Sequence, residues 1–289
     1  MMTNGKKTIA TALSCAVATL SLNENIDTKR LDAEILLCHI LGCQRIDLII
    51  NKDKILDDTS LSEYSDLIDR RAKNEPVSYI TGKKEFMSLE FDVESGILIP
   101  RPDTEILVEE IINLYKGKNV SILDLCTGSG AIAVSLAYYL KKASVTAVDK
   151  FDVCIDVALK NINKYNLSDR VNVIKKDVLE DLEIDGDVDC IVSNPPYIRT
   201  GVLSTLLSDV KDYEPQYALD GGDDGLIFYR KITDFAKEKL KSGGMLAYEI
   251  GYDQGVTVAE IIEKTHSFKE IRLLNDLSGL NRVIIAEKE

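Results

Sequence analysis

Histidine, tryptophan and paired cysteines are scarce or missing in this sequence of 289 residues. Histidine occurs only at His39 and His266, tryptophan is absent, and none of the six cysteines forms a C-x-x-C pair. A zinc site built from histidine and cysteine would have few ligands to draw on, so no metal is expected. Unpaired cysteines, several of them in apolar segments, are typical of reduced thiols in a cytoplasmic protein.

Long hydrophobic runs are also missing. No apolar stretch approaches the roughly 20 residues that cross a bilayer, and 45% hydrophobic with 29% charged residues is an ordinary globular composition. The segment from Thr8 to Leu22 follows Lys6-Lys7 and imitates a secretory signal, yet Ile9, Leu13 and Ala16 lie at helical spacing. We therefore expect an amphipathic first helix and no membrane partner.

Positive charge is in deficit, because the formal net charge is -13. The imbalance is uneven: residues 1–80 carry 10 Lys and Arg against 12 Asp and Glu, and the remainder carries 25 against 36. A protein that grips a phosphate backbone over a wide surface shows the opposite balance. Direct binding of nucleic acid is therefore not expected.

Three parts are predicted along the chain. Residues 1–80 have a helical apolar pattern, which predicts a small helical domain. Short β-like pieces, Tyr79–Gly82 and Leu89–Val93, then predict a β-hairpin linker over residues 81–100. Residues 101–289 form the third and largest part.

In this third part, apolar strands alternate with helical stretches, the pattern of a parallel sheet covered by helices on both faces. The last two strands follow each other directly and predict an antiparallel edge. The expected fold class is α/β, a doubly wound, mostly parallel sheet with an antiparallel C-terminal strand, plus the small N-terminal helical domain. The strands are predicted at Val120–Cys126, Ser144–Asp149, Val171–Asp177, Val188–Asn194, Met245–Ile250, Phe268–Asn275 and Asn281–Glu287.

A short polar and glycine-containing turn follows the first of these strands and precedes the helical run from Ala131 to Leu140. Glycines let the backbone approach a ligand closely, and the start of the next helix offers free N–H groups. The G-x-G-x-x-G fingerprint of NAD sites would need glycine where this chain has Cys126 and Ala131. The turn consists of Asp124, Leu125, Cys126, Thr127, Gly128, Ser129 and Gly130.

Aspartates occur at the ends of three successive predicted strands, at Asp124, Asp149 and Asp177. A carboxylate at the end of the second strand can accept hydrogen bonds from both ribose hydroxyls, and the third lies beside the expected adenine pocket. Three carboxylates suit a neutral or cationic nucleoside better than a pyrophosphate, and S-adenosyl-L-methionine fits that description. Each aspartate alone would be read as a helix cap or a loop residue; the three in register favour the nucleoside.

The tetrapeptide Asn194-Pro195-Pro196-Tyr197 follows a predicted buried strand, where open α/β sheets hold their ligands. The prolines leave carbonyls that only accept, the Asn194 side-chain oxygen is a further acceptor, and Tyr197 offers a flat face. Two acceptors beside an aromatic ring suit a planar NH2 group. The alternative interpretation is a rigid turn with a packed tyrosine.

Further short motifs are spread over nearly the whole chain. They are Asp32-Ala33-Glu34, Glu75-Pro76, Tyr79–Gly82, Ile99–Glu105, Ala218–Leu226, Glu249-Ile250-Gly251 and Asn281-Arg282-Val283. Together with the tetrapeptide, they make the chain resemble the PrmC (HemK) family of protein-glutamine N5-methyltransferases. The family's first glycine of the turn is Cys126 here, and a Cβ disfavours positive φ, so the turn is expected to differ slightly.

The resemblance implies a class I (Rossmann-like) methyltransferase. Its methyl group would pass from S-adenosyl-L-methionine to the side-chain amide nitrogen, N5, of the glutamine in the Gly-Gly-Gln motif of class I peptide chain release factors. The product would be S-adenosyl-L-homocysteine. The helical domain over residues 1–80 would dock the release factor, and we expect a monomer.

Residue roles follow from the same resemblance. Asn194 and the Pro195 carbonyl would accept the two hydrogens of the substrate amide, with Tyr197 against the amide plane, so these are the expected catalytic residues. With Pro196 they form the expected substrate site. Arg101 and Glu105 are expected to shape the cofactor pocket, the alternative being a structural ion pair. Cofactor contacts are implied at Asp124, Cys126–Gly130, Asp149, Asp177, Val178 and Asn194.

Other functions remain open at this point. A sibling group methylates a glutamine of a ribosomal protein and shares the tetrapeptide, and DNA or RNA adenine N6-methyltransferases use it as well, although they need a basic groove. A protein that only binds the cofactor or a translation factor is a further alternative. The sequence also leaves open whether Tyr197 or another aromatic residue, such as Phe86, stacks on the substrate.

Overall fold

The computed structural model describes residues 7–180 and 182–289. The chain divides into two compact units. The first consists of the described residues up to Gly82 together with Leu207–Tyr213, and the second of Lys83–Leu206 together with Glu214–Glu289. The first unit is therefore discontinuous in sequence.

The described part of the first unit up to Gly82 contains five α-helices whose apolar faces form one core. The first helix is amphipathic, with Ile9, Ala12 and Leu20 buried, which confirms the prediction from its spacing. Lys6, in the signal-like segment, lies outside the described residues. The helices are α1 (Ile9–Leu20), α2 (Lys29–Leu41), α3 (Arg45–Ile50), α4 (Asp58–Ala72) and α5 (Val77–Thr81).

The β-like prediction for Tyr79–Gly82, one of the two pieces of the expected hairpin, is wrong. Its residues belong to helix α5 and the cap that follows it. Pro76 precedes the helix, and Gly82 ends it in the left-handed region with a φ of 72°. Proline at the start and glycine just past the end favour a short helix, and these two signals outweigh the β propensity of the residues between them.

The second unit begins with a hairpin of two antiparallel strands, β1 (Lys83–Phe86) and β2 (Leu89–Asp92). A seven-stranded sheet follows, in the order β5-β4-β3-β6-β7-β9-β8. Neighbours from β5 to β7 are parallel, whereas β9 pairs antiparallel with both β7 and β8. The strands of the sheet are β3 (Val120–Leu125), β4 (Ala143–Asp149), β5 (Val171–Lys175), β6 (Val188–Ser193), β7 (Leu240–Glu249), β8 (Phe268–Asn275) and β9 (Asn281–Lys288).

Helices cover this sheet with two separate apolar clusters. One cluster contains Leu107 and Leu136 from helices that follow the hairpin and β3, and the other contains Tyr229 and Val258 from later helices. This arrangement confirms the predicted doubly wound α/β fold. The helices are α6 (Thr104–Tyr115), α7 (Ala131–Tyr139), α8 (Asp152–Lys164), α9 (Ser208–Lys211, within the first unit), α10 (Ile227–Lys239) and α11 (Gly255–Glu263).

The register of the central strands places the predicted site at one edge of the sheet. Leu125 at the end of β3 is paired with Val148 of β4 and with Ser193 of β6. The chain runs from β3 outward through β4 and β5 and then returns to β6 on the other side of β3. This is a topological switch point, where the loops after neighbouring strands diverge and leave a crevice for a ligand.

Candidate active site

A cavity of about 370 Å³ lies in the second unit beyond the carboxyl ends of these strands. Its volume falls in the range of about 300 to 1,000 Å³ that is usual for ligand pockets. Seven residues that the sequence analysis assigned to the site line it: Cys126, Gly128, Asp149, Asp177, Val178, Asn194 and Pro196. The register therefore brings part of the turn, two of the strand-end aspartates and two residues of the tetrapeptide to one space. Pro195 and Tyr197, two of the expected catalytic residues, are not among the residues that line the cavity.

Asp124 has a different position, because its side chain is fully buried and is not among the residues that line the cavity. Its Oδ2 atom accepts hydrogen bonds from the Thr127 hydroxyl at 2.6 Å and from the Ala133 N–H at 3.1 Å. Burial raises the pKa of the Asp124 carboxyl to about 7. The carboxyl group thus ties the turn to helix α7. Thr127, Ser129 and Gly130, also predicted as cofactor contacts, likewise do not line the cavity.

The turn itself has three residues in the left-handed region, Cys126 at 63°, Gly128 at 56° and Gly130 at 78°. Cys126 therefore adopts the backbone conformation that glycine favours despite its Cβ. A Cβ at Gly130 would lie 3.1 Å from the Cβ of Ala158 in helix α8, so this glycine also permits close helix packing. Burial raises the pKa of the Cys126 thiol well above its ordinary value.

Asp149, at the end of β4, holds the turn from the neighbouring strand. Its Oδ2 atom accepts a hydrogen bond from the Gly128 N–H at 2.9 Å, and Oδ1 accepts one from the Phe151 N–H at 3.2 Å. Burial raises the pKa of this carboxyl group. The cavity wall thus has an acceptor that two backbone donors keep in place.

Asp177 is the second carboxyl group of the cavity wall. Its Oδ1 atom accepts a hydrogen bond from the Leu179 N–H at 2.9 Å, and its Oδ2 atom pairs with Lys150 Nζ at 2.7 Å. Partial burial acts to raise its pKa, but the hydrogen bonds from Lys150 and Leu179 outweigh this effect, and the pKa is lowered. Asp177 is therefore ionised, whereas burial opposes the charge on Asp149.

The cavity wall also contains an aromatic pair that the sequence motifs do not predict. Phe151 and Tyr217 stack with their ring centroids 3.6 Å apart and an interplanar angle of 23°. The Tyr217 hydroxyl donates a hydrogen bond to the Gly96 carbonyl oxygen. Phe151 could have been found from its place just after Asp149, but Tyr217 lies far along the chain and carries no such signal.

The tetrapeptide begins at Asn194, directly after β6. The Nδ2 atom of Asn194 donates a hydrogen bond to the Thr104 hydroxyl oxygen at 3.2 Å, and this hydroxyl donates to Oε2 of Glu249 at 2.5 Å. Thr104 and Glu249 are both buried. Because the amide nitrogen is bound to Thr104, Oδ1 is the atom of the Asn194 amide that can accept a hydrogen bond in the cavity.

The tetrapeptide ends at Tyr197, whose side chain and backbone are held separately. Its hydroxyl donates to Oε1 of Glu249 at 3.3 Å, and its carbonyl oxygen accepts from Nε2 of Gln254 at 3.0 Å. A Cβ at Gly225 would collide with the same carbonyl oxygen, and one at Gly221 would lie 2.8 Å from the Tyr197 Cα. The glycine-containing segment just before α10 thus packs directly on the tetrapeptide backbone. Burial raises the pKa of the Tyr197 hydroxyl.

The second aromatic residue considered as a stacking partner, Phe86, lies elsewhere. It is 1% exposed and contacts Phe91 edge to face, with ring centroids 6.0 Å apart. Both rings belong to the apolar cluster beneath the hairpin. Phe86 is therefore part of the hydrophobic core of the second unit.

Arg101 and Glu105 do not line the cavity and do not pair with each other. Arg101 forms an ion pair with Glu214, with 2.5 Å between Nη2 and Oε1. Glu105 accepts a hydrogen bond from the Met87 N–H at 2.7 Å, at the turn of the hairpin. Arg101 thus belongs to a structural ion pair, but its partner is Glu214 and not Glu105.

Residues 7–180 and 182–289 contain neither a metal-ligating cluster nor a membrane-spanning helix. No group of three or more His, Cys, Asp or Glu side chains in these ranges could hold a metal ion. No helix in them is long and apolar enough to cross a membrane.

Comparisons with known proteins agree with this geometry. The family model "PrmC N-terminal domain" matches residues 11–82, and "Methyltransferase small domain" matches residues 101–209. A release factor glutamine methyltransferase of Clostridium acetobutylicum is 46% identical over 257 residues, which are 88% of this chain and 90% of the relative. One of Clostridium botulinum is 43% identical over 266 residues, 91% of this chain and 94% of the relative.

Among solved structures, a methyltransferase from Pyrococcus furiosus is similar with a TM-score of 0.54. It is 18% identical and covers 78% of this chain and 98% of its own, so it shows the fold alone. The sequence relatives show more, because their identity extends over both units. The chain is a methyltransferase and belongs to the PrmC family of release factor glutamine methyltransferases.

Proposed function

We propose that this protein transfers the methyl group of S-adenosyl-L-methionine to N5 of the glutamine in the Gly-Gly-Gln motif of class I release factors. The observation that carries the proposal is the Asn194 amide, whose nitrogen is hydrogen-bonded to Thr104 so that its oxygen is available as an acceptor in the cavity. Relatives named release factor glutamine methyltransferase, 35% to 46% identical over most of the chain, support the choice of substrate.

The cavity fits S-adenosyl-L-methionine in size and in donor set. Asp149 offers a carboxylate to the ribose hydroxyls, and Asp177 with Val178 would border the adenine, beside the ring of Phe151. The turn at Cys126 and Gly128 would face the remainder of the molecule. When bound, S-adenosyl-L-methionine supplies an electrophilic methyl group on a sulfonium, and S-adenosyl-L-homocysteine remains.

Orientation is the first contribution of the protein's own residues. A glutamine amide nitrogen is a poor nucleophile because its lone pair is delocalised into the carbonyl group. Oδ1 of Asn194 and the carbonyl oxygen of Pro195 would each accept one of its hydrogens, while the ring of Tyr197 packs against the amide plane. Fixing a reactant in this way can lower a barrier by several kcal/mol, with an upper range of about 7 to 11 kcal/mol.

Charge stabilisation is the second contribution. The substrate nitrogen would become positive as its new bond to carbon forms, and the acceptor oxygens of Asn194 and Pro195 would be bound to its hydrogens before that charge appears. Acceptors that are held in place need not reorganise when the charge develops. Once the bond between nitrogen and the methyl carbon has formed, one of the two N–H protons becomes acidic and would leave to solvent water, which restores a neutral amide. No strong base is therefore needed to start the reaction.

The first unit would dock the release factor. It matches the PrmC N-terminal domain over residues 11–82, and it is separate in structure from the unit that contains the cavity. We propose that the enzyme acts in the cytoplasm, where its substrate would participate in translation, and that it acts there as a monomer. We also propose that it needs no metal and makes no direct contact with nucleic acid, since its net charge is -13.

A labelling experiment tests this function. The protein is incubated with methyl-labelled S-adenosyl-L-methionine and, in separate reactions, with a release factor, ribosomal protein or DNA. Label should appear in the release factor and disappear when the glutamine of its Gly-Gly-Gln motif is replaced. Labelling of ribosomal protein or DNA instead, or label that survives the replacement, would overturn the proposal. No transfer to any substrate would favour a protein that only binds.

A further inference from the structure

Glu249 is a buried carboxyl group for which the proposed reaction has no direct use. It lies at the end of β7 and is 1% exposed. Its two carboxyl oxygens accept hydrogen bonds from Thr104 at 2.5 Å and from Tyr197 at 3.3 Å. The Tyr229 hydroxyl binds its backbone carbonyl oxygen at 2.9 Å. One carboxyl group is therefore linked to both ends of the tetrapeptide, to Tyr197 directly and to Asn194 through Thr104.

The chemistry of these groups fixes the direction of each hydrogen bond. While Glu249 is ionised its carboxylate can only accept, so the Thr104 hydroxyl must then donate its single hydrogen to Glu249. The hydroxyl oxygen is then left as an acceptor, and the only half of the Asn194 amide that can donate to it is the NH2 group. The amide oxygen must consequently turn toward the cavity.

We propose that Glu249 is a positioning residue, which determines through the Thr104 hydroxyl that Asn194 presents its oxygen and not its NH2 group to the substrate. This inference rests on the proposed role of Asn194 as an acceptor. An Asn194 amide in the opposite orientation would face the NH2 group of the substrate glutamine with another NH2 group. Two donors cannot form a hydrogen bond, so that orientation is inactive.

Protonation of Glu249 would reverse the chain of hydrogen bonds. A protonated carboxyl group can donate to the Thr104 oxygen, which frees the hydroxyl hydrogen to donate to Oδ1 of Asn194. The inactive orientation of the amide is then favoured. Activity at saturating cofactor should therefore fall on the acidic side of its optimum.

The surroundings of Glu249 determine where this fall occurs. Burial is the largest influence and raises the pKa of the carboxyl group, and the nearby Asp103 acts in the same direction. The hydrogen bonds from Thr104 and Tyr197 and the charge of Arg282 on β9 act in the opposite direction, and the net result is a raised pKa. The neutral Tyr229 hydroxyl faces the same residue from α10.

A matched pair of variants tests the inference. Thr104→Val keeps the shape of the side chain but removes the hydroxyl, whereas Thr104→Ser keeps the hydroxyl. We expect Thr104→Val to lower kcat about 10- to 100-fold, the range for loss of one or two net hydrogen bonds. The KM for S-adenosyl-L-methionine should change less than about twofold, because the network contacts the acceptor side of the site. Thr104→Ser should recover most of kcat.

The pH profile gives a readout that a merely structural role would not move. In the wild type and in Thr104→Ser, kcat should fall at acidic pH. In Thr104→Val and in Glu249→Gln this acidic fall should vanish. Thr104→Val lacks the hydroxyl through which Glu249 orients the Asn194 amide, and Glu249→Gln lacks the group that ionises. Thermal unfolding and calorimetric cofactor binding confirm that each variant is folded. If Thr104→Val does not fold, an acidic fall that persists unchanged in Glu249→Gln overturns the inference.

Asn194→Ala separates the two proposals. If Asn194→Ala keeps its activity, the proposed role of Asn194 is wrong, whatever Thr104 does. If Asn194→Ala is inactive while Thr104→Val retains the kcat and the acidic fall of the wild type, the role of Asn194 stands and the inference about Glu249 is wrong.

Discussion

The side-chain amide of Gln254 donates a hydrogen bond to the carbonyl oxygen of Tyr197 at 3.0 Å and one to the carbonyl oxygen of Gly225 at 3.2 Å. Its own oxygen accepts from the Gly251 N–H at 2.9 Å, and the residue is 2% exposed. Gln254 therefore connects the loop after β7 to the end of the tetrapeptide. Every hydrogen-bonding group of the side chain has a partner that needs an amide in this orientation.

Replacing Gln254 by Glu should loosen the tetrapeptide. A carboxylate cannot donate, so the carbonyl oxygens of Tyr197 and Gly225 would lose their partner and face negative charge. We expect kcat to fall at least about tenfold while the cofactor dissociation constant stays within about twofold. Steady-state kinetics and calorimetry measure the two quantities. Equal weakening of catalysis and cofactor binding would contradict a role confined to the acceptor side.

Asn194→Ala should abolish methyl transfer and largely spare cofactor affinity. The substitution removes the acceptor oxygen, and the cavity wall formed by Asp149, Asp177 and Val178 is unchanged. Single-turnover transfer to release factor and calorimetric titration of the cofactor provide the measurements. Asn194→Asp serves as the matched control, since it keeps an acceptor but removes the NH2 group that binds Thr104. Loss of folding in Asn194→Ala would instead support the interpretation as a structural turn.

Asp124 should make the free energy of unfolding depend on pH. Its pKa rises from 3.8 to about 7 in the folded protein because the group is buried. The folded state therefore binds the proton more tightly, and this stabilisation is present below pH 3.8 and is lost as the pH rises to about 7. A pKa shift of this size corresponds to a decrease of up to about 4 kcal/mol in the free energy of unfolding as the pH rises through this range.

Chemical unfolding at pH 4 and pH 8 tests this prediction, with Asp124→Asn as the comparison. The neutral amide keeps an acceptor for Thr127 and Ala133 and removes the titration. The difference in stability between the two pH values should become smaller in the variant. If the difference in stability between pH 4 and pH 8 is the same in Asp124→Asn as in the wild type, other groups cause the pH dependence.

Cys126→Gly should stabilise the protein. A residue with a Cβ in the left-handed region costs about 1 to 3 kcal/mol, and glycine removes this strain at an entropic cost of about 0.5 to 1 kcal/mol. With φ at 63° for Cys126, we expect a net gain of about 1 kcal/mol in the free energy of unfolding. Cys126→Ala keeps the Cβ and removes only the thiol. Equal stability of the two variants would exclude backbone strain as the cause.

The strands of the main sheet could be predicted from sequence because each is a short apolar run between polar turns. The central strand was expected at Val120–Cys126 and forms at Val120–Leu125. The strand before the tetrapeptide was expected at Val188–Asn194 and forms at Val188–Ser193. The hairpin was placed less well, since Pro76 and Gly82 turn its expected first piece into a helix.

The candidate site could be predicted only in part, because sequence position does not show what a side chain touches. Asp124, Asp149 and Asp177 have equivalent positions in the sequence pattern, yet the structure buries Asp124 within the protein and places the other two on the cavity wall. Thr104 and Glu249 lie 145 residues apart, and neither residue type signals the hydrogen bond that joins them. Such contacts depend on tertiary packing.

The segment Leu207–Tyr213 has a practical consequence for dissecting the protein. It belongs to the first unit although it lies within the sequence of the second, and the Tyr213 hydroxyl binds the Lys73 carbonyl oxygen at 2.8 Å. A fragment that ends at Gly82 therefore lacks a piece of its own fold, and a fragment that starts at Lys83 carries that piece without its packing partners. Expressing either half alone would report on truncation damage rather than on the separate tasks of the halves.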